Sequence, residues 1–233
     1  MPILSFSKWG SKYVDCKLDE YSRNPLRPTR QLLCQIYSCI DLTSLSNDDS
    51  ADSIASLVEG VNRHAVSNGD IQQDGNSQGP EYYIPNVAGI CVYPKFVAAA
   101  RKCLKAPGVD IVSVAGGFPH AQTFREIKAR EVELAAMCGA DEIDVVITAG
   151  DIISGHADCA REDLLAMRQA CHGLKMKVIL ETGVYECDSQ IYDAAMLIGY
   201  AQYLRMLCKE EMSFRDAMHQ LLSGRDEVNA TWR

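Results

Sequence analysis

Five short apolar segments of strand type, each followed by a stretch of helical spacing, recur along the chain, and this rhythm limits the fold more than any other feature. The strand segments are Ile36–Leu42, Val87–Val92, Val109–Val114, Glu142–Ile147 and Lys177–Glu181, with helical patterns opening near Asp48, Pro94, Ala121, Cys159 and Ser189. The first helical stretch, 48–66, sets Ile54, Leu57, Val58 and Val61 on one side behind an Asp48-Asp49-Ser50 cap region. Neighbouring parallel strands cannot be joined by a tight turn and need a crossover, usually a helix. The alternation therefore predicts an α/β chain with a parallel sheet. Gly116-Gly117-Phe118-Pro119 and Glu181-Thr182-Gly183 fall at the C-terminal ends of predicted strands, where βα loops carry chemistry in barrel folds.

Two of those strands carry charge where apolar residues belong. In the fourth, Ile143, Val145 and Ile147 alternate to one face, which turns Glu142, Asp144 and Val146 to the other. In the fifth, Val178 and Leu180 face one way and Lys177, Ile179 and Glu181 the other. If the strands are parallel neighbours, Asp144 and Lys177 stand side by side, partly out of water. Charges withdrawn from water cost several kcal/mol or so unless they pair. The spacing thus predicts an ion pair between Asp144 and Lys177, with Glu181 as a competing partner for the lysine.

Charge and composition narrow the function classes. A net charge of −8 with no basic stripe argues against a nucleic-acid partner; it leaves a phosphorylated small molecule open, because a pocket's field is local. Ten cysteines are scattered without a Cys-x-x-Cys pair, which favours free thiols in a reducing cytosol over a disulfide scaffold. The N-terminal residues lack a signal-peptide apolar core, and no window reaches the length of a membrane span. His120, His156, His172 and His219 lack metal-ligand spacing. Gly116-Gly117 is too short for a phosphate-loop signature. The polar stretch 67–85 is expected to be a surface loop between a helix and the next strand.

Five segments, in order, resemble the deoxyribose-phosphate aldolases. They are Asp41-Leu42-Thr43-Ser44-Leu45, Val87-Ala88-Gly89-Ile90-Cys91-Val92-Tyr93-Pro94, Gly116-Gly117-Phe118-Pro119, the Asp144 strand and the Lys177 strand. The resemblance runs from Cys39 to Tyr200. It implies a (β/α)8 TIM barrel and class I Schiff-base chemistry, the cleavage of 2-deoxy-D-ribose 5-phosphate to glyceraldehyde 3-phosphate and acetaldehyde. In such a mechanism a lysine amine adds to the substrate carbonyl, the iminium acts as electron sink, and a carboxylate–lysine relay moves protons without cofactor or metal. Carried over by motif, Asp144 and Lys177 are the expected catalytic pair, while Asp41 and Cys91 are expected to bind substrate. The residues also leave plainer readings open. Lys177 can serve only to neutralise Asp144, Asp41 can hold a backbone turn with Thr43 and Ser44, and Cys91 can be core.

The departure from the family is as informative as the match. The family's nucleophilic lysine follows on the next strand, in a segment of the form Ala-Asp-Phe-Ile-Lys-Thr-Ser-Thr-Gly-Lys. Here the stretch reads Ala201-Gln202-Tyr203-Leu204-Arg205-Met206-Leu207-Cys208-Lys209, read as a weak sixth strand over 202–207 with Arg205 in the lysine's place. A guanidinium stays protonated and is a very poor nucleophile. The phosphate-binding Ser/Thr/Gly run is absent as well.

A full barrel typically takes about 250 residues, yet only five units are complete by Tyr200. Beyond the weak strand, an amphipathic helix carrying Phe214, Met218, Leu221 and Leu222 and a polar stretch over 223–233 are expected. The predicted architecture is an incomplete TIM barrel of five to six βα units: an arm over 1–30, the aldolase-like region over 31–200 and a divergent segment over 201–233. The expected function is aldolase-like with impaired catalysis. The alternative is a non-catalytic truncated paralogue or isoform that binds sugar phosphate or associates with other subunits. Open strand edges lead one to expect a marginally stable chain that forms homo-oligomers or aggregates.

Overall fold

The computed structural model describes residues 19, 22–23, 28–73 and 84–210. The expected helix around Phe214 and the polar stretch 223–233 lie outside them, as does most of the N-terminal arm. The elements are α1 (Arg30–Tyr37), β1 (Asp41–Thr43), α2 (Ala51–Gln73), β2 (Gly89–Val92), α3 (Val97–Cys103), β3 (Asp110–Ala115), α4 (Arg125–Met137), β4 (Glu142–Val146), α5 (Ala149–Ile153), α6 (Ala157–Ala170), β5 (Lys175–Ile179) and α7 (Asp188–Glu210). Single 3-10 turns at Pro94–Phe96 and Thr182–Val184 follow β2 and β5. All five strands are parallel, in the order β1-β2-β3-β4-β5. This is the βα sheet that the alternation predicted.

One face of the sheet packs on the helices. Ile90, Ile111, Ile143 and Val145 from the strands are buried with Ile54 and Val58 of α2, Val97 and Ala100 of α3, Val132 and Ala135 of α4, and Leu164 and Met167 of α6. Each buried Val, Leu or Ile contributes about 1.5–3 kcal/mol relative to exposure, so this layer holds the sheet's shape. The opposite face carries a small apolar cluster, Cys91, Val112 and Val114 under Leu45, Tyr93 and Phe118. The Gly116–Pro119 motif supplies that cluster's Phe118, whose ring meets Tyr93 edge-on at 6.0 Å.

Several boundaries differ from expectation for local reasons. Residues 36 and 37 end a helix rather than begin a strand, because Thr29 caps that helix by accepting from the Leu32 N–H. The first strand is therefore only Asp41–Thr43. α2 starts at a reciprocal cap, with Ser50 Oγ accepting from Ser53 N–H and Ser53 Oγ from Ser50 N–H, and it runs to Gln73, into the stretch expected to be loop. The sixth strand expected over 202–207 does not form. Residues 202–207 lie inside α7, which continues unbroken from Asp188 to Glu210. Leu, Met, Gln, Arg and Ala predominate there, all good helix formers. Arg205 thus stands on a helix, not on a strand at the place of a Schiff-base lysine.

Candidate active site

The register brings the predicted charges together. Asp144 on β4 is the direct partner of Lys177 on β5, and Val114 on β3 stands beside Asp144. Two residues earlier, Glu142 pairs in register with Val112 and Lys175. Alternation then places Glu142, Asp144, Lys175 and Lys177 on the face turned away from the main core.

Lys177 collects three carboxylates. Its Nζ is 3.2 Å from Asp144 Oδ2 and 2.7 Å from Glu142 Oε1, and it also donates to Asp41 Oδ2. The contact with Asp41 carries a fold-level message. β1 and β5 are four inter-strand spacings apart, roughly 19 Å in a flat sheet at about 4.8 Å per spacing. A lysine bridging them requires a strongly curled sheet, as in a barrel wall. Gly89 makes room at the other end: a Cβ there would stand 2.8 Å from Asp41 Oδ1 and 2.7 Å from Val112 Cγ2. Asp41 therefore spends its carboxylate on Lys177. The turn offered as the alternative role for Asp41 is built by Thr43 Oγ1 donating to the Asp41 carbonyl and Ser44 Oγ donating to the Asp49 carboxylate.

The electrostatics separate the roles. Burial lifts the Asp144 carboxyl above the usual aspartate range; the Lys177 charge and hydrogen bond pull it back only in part, while Glu142 and Asp41 push it further up. Asp144 Oδ1 is buried and accepts no hydrogen bond among the described residues. For Lys177, burial works against the charged form, but hydrogen bonds to Asp41 and Glu142 and the Asp144 charge outweigh it and raise the amine above its ordinary value. Lys177 is therefore a held ammonium ion, although its side chain is 46% exposed. Cys91 is buried beside β1, paired with Thr43; burial, then the charges of Asp144 and Asp41, push its thiol up to about 12. The thiol therefore stays protonated and neutral at ordinary pH.

Glu181, expected to compete for Lys177, does not reach it. It lies past the end of β5 with a left-handed backbone, φ 57°, and Glu142 takes its place. Sequence alternation put Glu142 on the right face but gave it no role. Lys175 belongs to the same row and pairs with Asp110 Oδ2 at 2.7 Å, so an i, i+2 charge spacing on both strands was the available signal. A second charged cluster had no such signal. Lys128 of α4 is buried and donates to Asp163 Oδ2 at 2.6 Å and Thr148 Oγ1 at 2.7 Å, while Arg125 Nε holds Asp163 Oδ1 at 2.8 Å. This cluster ties α4, α6 and the loop after β4 together behind the site.

Among the described residues no group of His, Cys, Asp and Glu is arranged to hold a metal ion, and no helix is long and apolar enough to cross a membrane. A cleft of about 450 Å³ lined by Glu59, Asn62, Arg63 and Lys105 opens in the helical layer; it contains none of the ion-cluster residues.

Residues 39–207 match the DeoC/LacD family of aldolases. The deoxyribose-phosphate aldolase of Bos taurus is 35% identical over 180 residues, 76% of this chain and 55% of that protein. The deoxyribose-phosphate aldolase of Homo sapiens is 34% identical over 167 residues, 71% of this chain and 51% of its own length. The chain thus spans about half the length of these relatives. Among solved structures, a Coccidioides immitis protein assigned as a deoxyribose-phosphate aldolase superposes with a TM-score of 0.61 at 21% identity, covering 84% of this chain and 70% of that one. That likeness shows the fold: a parallel sheet of the aldolase-barrel type.

Proposed function

The chain belongs to the DeoC/LacD aldolase family, and from that premise we propose that its inner sheet face holds the proton-transfer half of a deoxyribose-phosphate aldolase site. In this reading Asp144 exchanges the proton on the carbon next to the reacting carbonyl of a short sugar phosphate. Lys177 remains an ammonium whose three N–H groups are held by Asp41, Glu142 and Asp144 and which orients the Asp144 carboxylate. Asp41 and Cys91 border the pocket.

The observation that carries the proposal is the division of labour between the two Asp144 oxygens. Oδ2 is held by Lys177 at 3.2 Å, while Oδ1 is buried with no partner among the described residues. A general base needs a free lone pair aimed at the site and a pKa lifted toward neutrality, and burial lifts Asp144 in that direction. The surrounding charge also sets the substrate's orientation. Asp41, Asp110, Glu142 and Asp144 outnumber Lys175 and Lys177 in this cluster. A phosphate dianion is repelled there, so the carbonyl end faces the cluster and the phosphate points away.

The electron sink is the missing half. A nucleophilic lysine must be neutral to attack a carbonyl, and Lys177 is held protonated by its three carboxylates. Arg205 cannot form an imine. The chain by itself is therefore a binding and proton-transfer module, with cleavage far below the roughly 1 s⁻¹ of ordinary enzymes.

The test supplies the absent imine from outside. With 2-deoxy-D-ribose 5-phosphate in D2O and added methylamine, NMR should show faster deuterium exchange next to the carbonyl than methylamine alone gives, and Asp144→Asn should abolish the acceleration. No acceleration by the wild-type chain would overturn the reading. Borohydride trapping followed by mass mapping should leave Lys177 unmodified; an adduct there would show a neutral nucleophilic amine instead.

A further inference from the structure

Glu142 is buried at the start of β4, and its carboxylate spans two lysines of the neighbouring strand. Oε1 lies 2.7 Å from Lys177 Nζ, and Oε2 lies 3.8 Å from Lys175 Nζ. Lys175 is held from its other side by Asp110 Oδ2 at 2.7 Å. A row of alternating sign, Asp110, Lys175, Glu142, Lys177 and Asp144, therefore runs over β3, β4 and β5. Strand register sets it, because Glu142 is the direct partner of Lys175 and Asp144 that of Lys177. Among the described residues, Glu142 is the one carboxylate that contacts both lysines.

Lys177 is not shared evenly along that row. Its Nζ is 2.7 Å from Glu142 but 3.2 Å from Asp144, and charge-assisted contacts of this kind ordinarily close to about 2.7–2.9 Å. Asp41 takes a further N–H from the side of β1. An ammonium has three donors, so two of them go to carboxylates other than Asp144. A lysine free to swing fully onto Asp144 would favour the ionised form and make that carboxylate a weaker base. Glu142 acts in the same direction through its own charge, which stands two residues before Asp144 on the same face and disfavours a second negative charge nearby. The titratable and charged groups facing Asp144 are Asp41 of β1, Cys91 of β2, Glu142 of its own strand and Lys177 of β5, with Lys175 and Asp110 behind Glu142.

We propose that Glu142 is a positioning residue of the site, one that restrains Lys177 from closing fully on Asp144 and so keeps the aspartate able to take a proton. Lys175 serves as its anchor, because a second lysine fixes the Glu142 carboxylate independently of Lys177. The inference rests on Asp144 as the proton-transfer base described above. The restraint and the base role are nevertheless measured separately, the first without substrate and the second with it.

Carboxyl 13C NMR of the full chain, titrated from pH 3 to 8, follows Asp144, whose signal is assigned by its loss in Asp144→Asn. Glu142→Gln keeps the shape and removes the charge, and the Asp144 titration should move to lower pH. Glu142→Asp keeps the charge but is a methylene too short for the contact with Lys177. It should move the titration the same way, because the lysine is released. Circular dichroism confirms folding of both variants, each of which leaves Lys177 at least two carboxylates. Deuterium exchange with 2-deoxy-D-ribose 5-phosphate and methylamine over the same pH range should change in step. In both variants its rise should move to lower pH and its plateau should fall severalfold, since a base of lower pKa accepts a proton less readily. Glu126→Gln, an exposed charge on α4, should alter neither measurement. An Asp144 titration unmoved in Glu142→Gln would overturn the proposal. A shift in Glu142→Gln but not in Glu142→Asp would overturn it too, by assigning the whole effect to charge. A shift in both, with no acceleration of exchange by the wild type, would support the restraint on Lys177 and overturn the base role of Asp144.

Discussion

Lys177 Nζ sits 3.2 Å from Asp144 Oδ2 across two parallel strands that are in register at those same residues, and the carboxylate's second oxygen is buried without a partner. The pair is not a simple neutralisation. Lys177 has two other carboxylates, Asp41 and Glu142, so it stays satisfied without Asp144. Among the described residues Asp144 has no second cation. The strain of burial falls on the aspartate.

Asp144→Asn should therefore cost no stability at neutral pH and should raise the melting temperature there by a few degrees, each kcal/mol being worth about 2–4 °C in a chain of this size. The sign follows from linkage. The folded carboxyl is lifted above its ordinary 3.8, so its contribution is fully present below that value and is lost as pH rises through the folded pKa. Thermal melts of both proteins from pH 4 to 8 measure it. A substitution that lowers the melting temperature at pH 7 would mean that the Lys177 contact outweighs burial.

Lys177→Met should do the reverse. It leaves Asp41, Glu142 and Asp144 facing one another without their shared cation. Breaking a fully buried pair costs 3–5 kcal/mol, and the lysine's half-exposed side chain reduces this to about 2 kcal/mol. The wild-type contribution is fully present below the ordinary lysine value of 10.5 and is lost only as pH rises through the higher folded pKa. Denaturant melts at pH 7 should show the loss undiminished, and a variant as stable as wild type would contradict the cluster's geometry.

Thiol labelling should separate the cysteines by environment. Cys91, buried with its thiol pushed up to about 12, should react with iodoacetamide at pH 8 far more slowly than the exposed thiols. Cys187 is exposed, and the Ser189 hydroxyl and nearby backbone N–H groups hold its thiol below the ordinary value. It should react faster than Cys138 or Cys159, which are also exposed. Time-resolved peptide mapping reads the order, and early modification of Cys91 in the folded protein would remove it from the interior.

The Lys128 cluster should matter for stability and leave the charged face intact. Lys128→Met removes a buried cation but leaves Asp163 its Arg125 contact, so we expect a loss of about 2–4 kcal/mol, toward the lower part of the range for broken buried pairs. Burial alone would raise the Asp163 carboxyl; the hydrogen bonds from Lys128 and Arg125 overcome this and hold it below 3.8. Its contribution is present above 3.8 and is lost as pH falls through the folded pKa, so the gap between variant and wild type should narrow in acid. Urea melts at pH 7 and pH 3 check both statements.

Much of this was legible in the residues alone. Alternation along β4 and β5 is a local, period-two property, and it placed Asp144 and Lys177 on one face before any pairing was known. The helix–strand rhythm implied parallel strands because a parallel connection needs a crossover of a dozen or more residues. What the sequence could not rank was competition for the backbone. Residues 202–207 suit a weak strand by pattern, but a strand exists only if a neighbour supplies hydrogen bonds, and α7 claims them. Choice of partner was equally out of reach. Glu142 rather than Glu181 meets Lys177, and Asp41 joins them from the far edge of the sheet, because the sheet curls through five strands. Lys128, Thr148 and Asp163 come together from three separate elements. Local spacing decides which way a side chain points; only the folded sheet and its helical layer decide what it meets there.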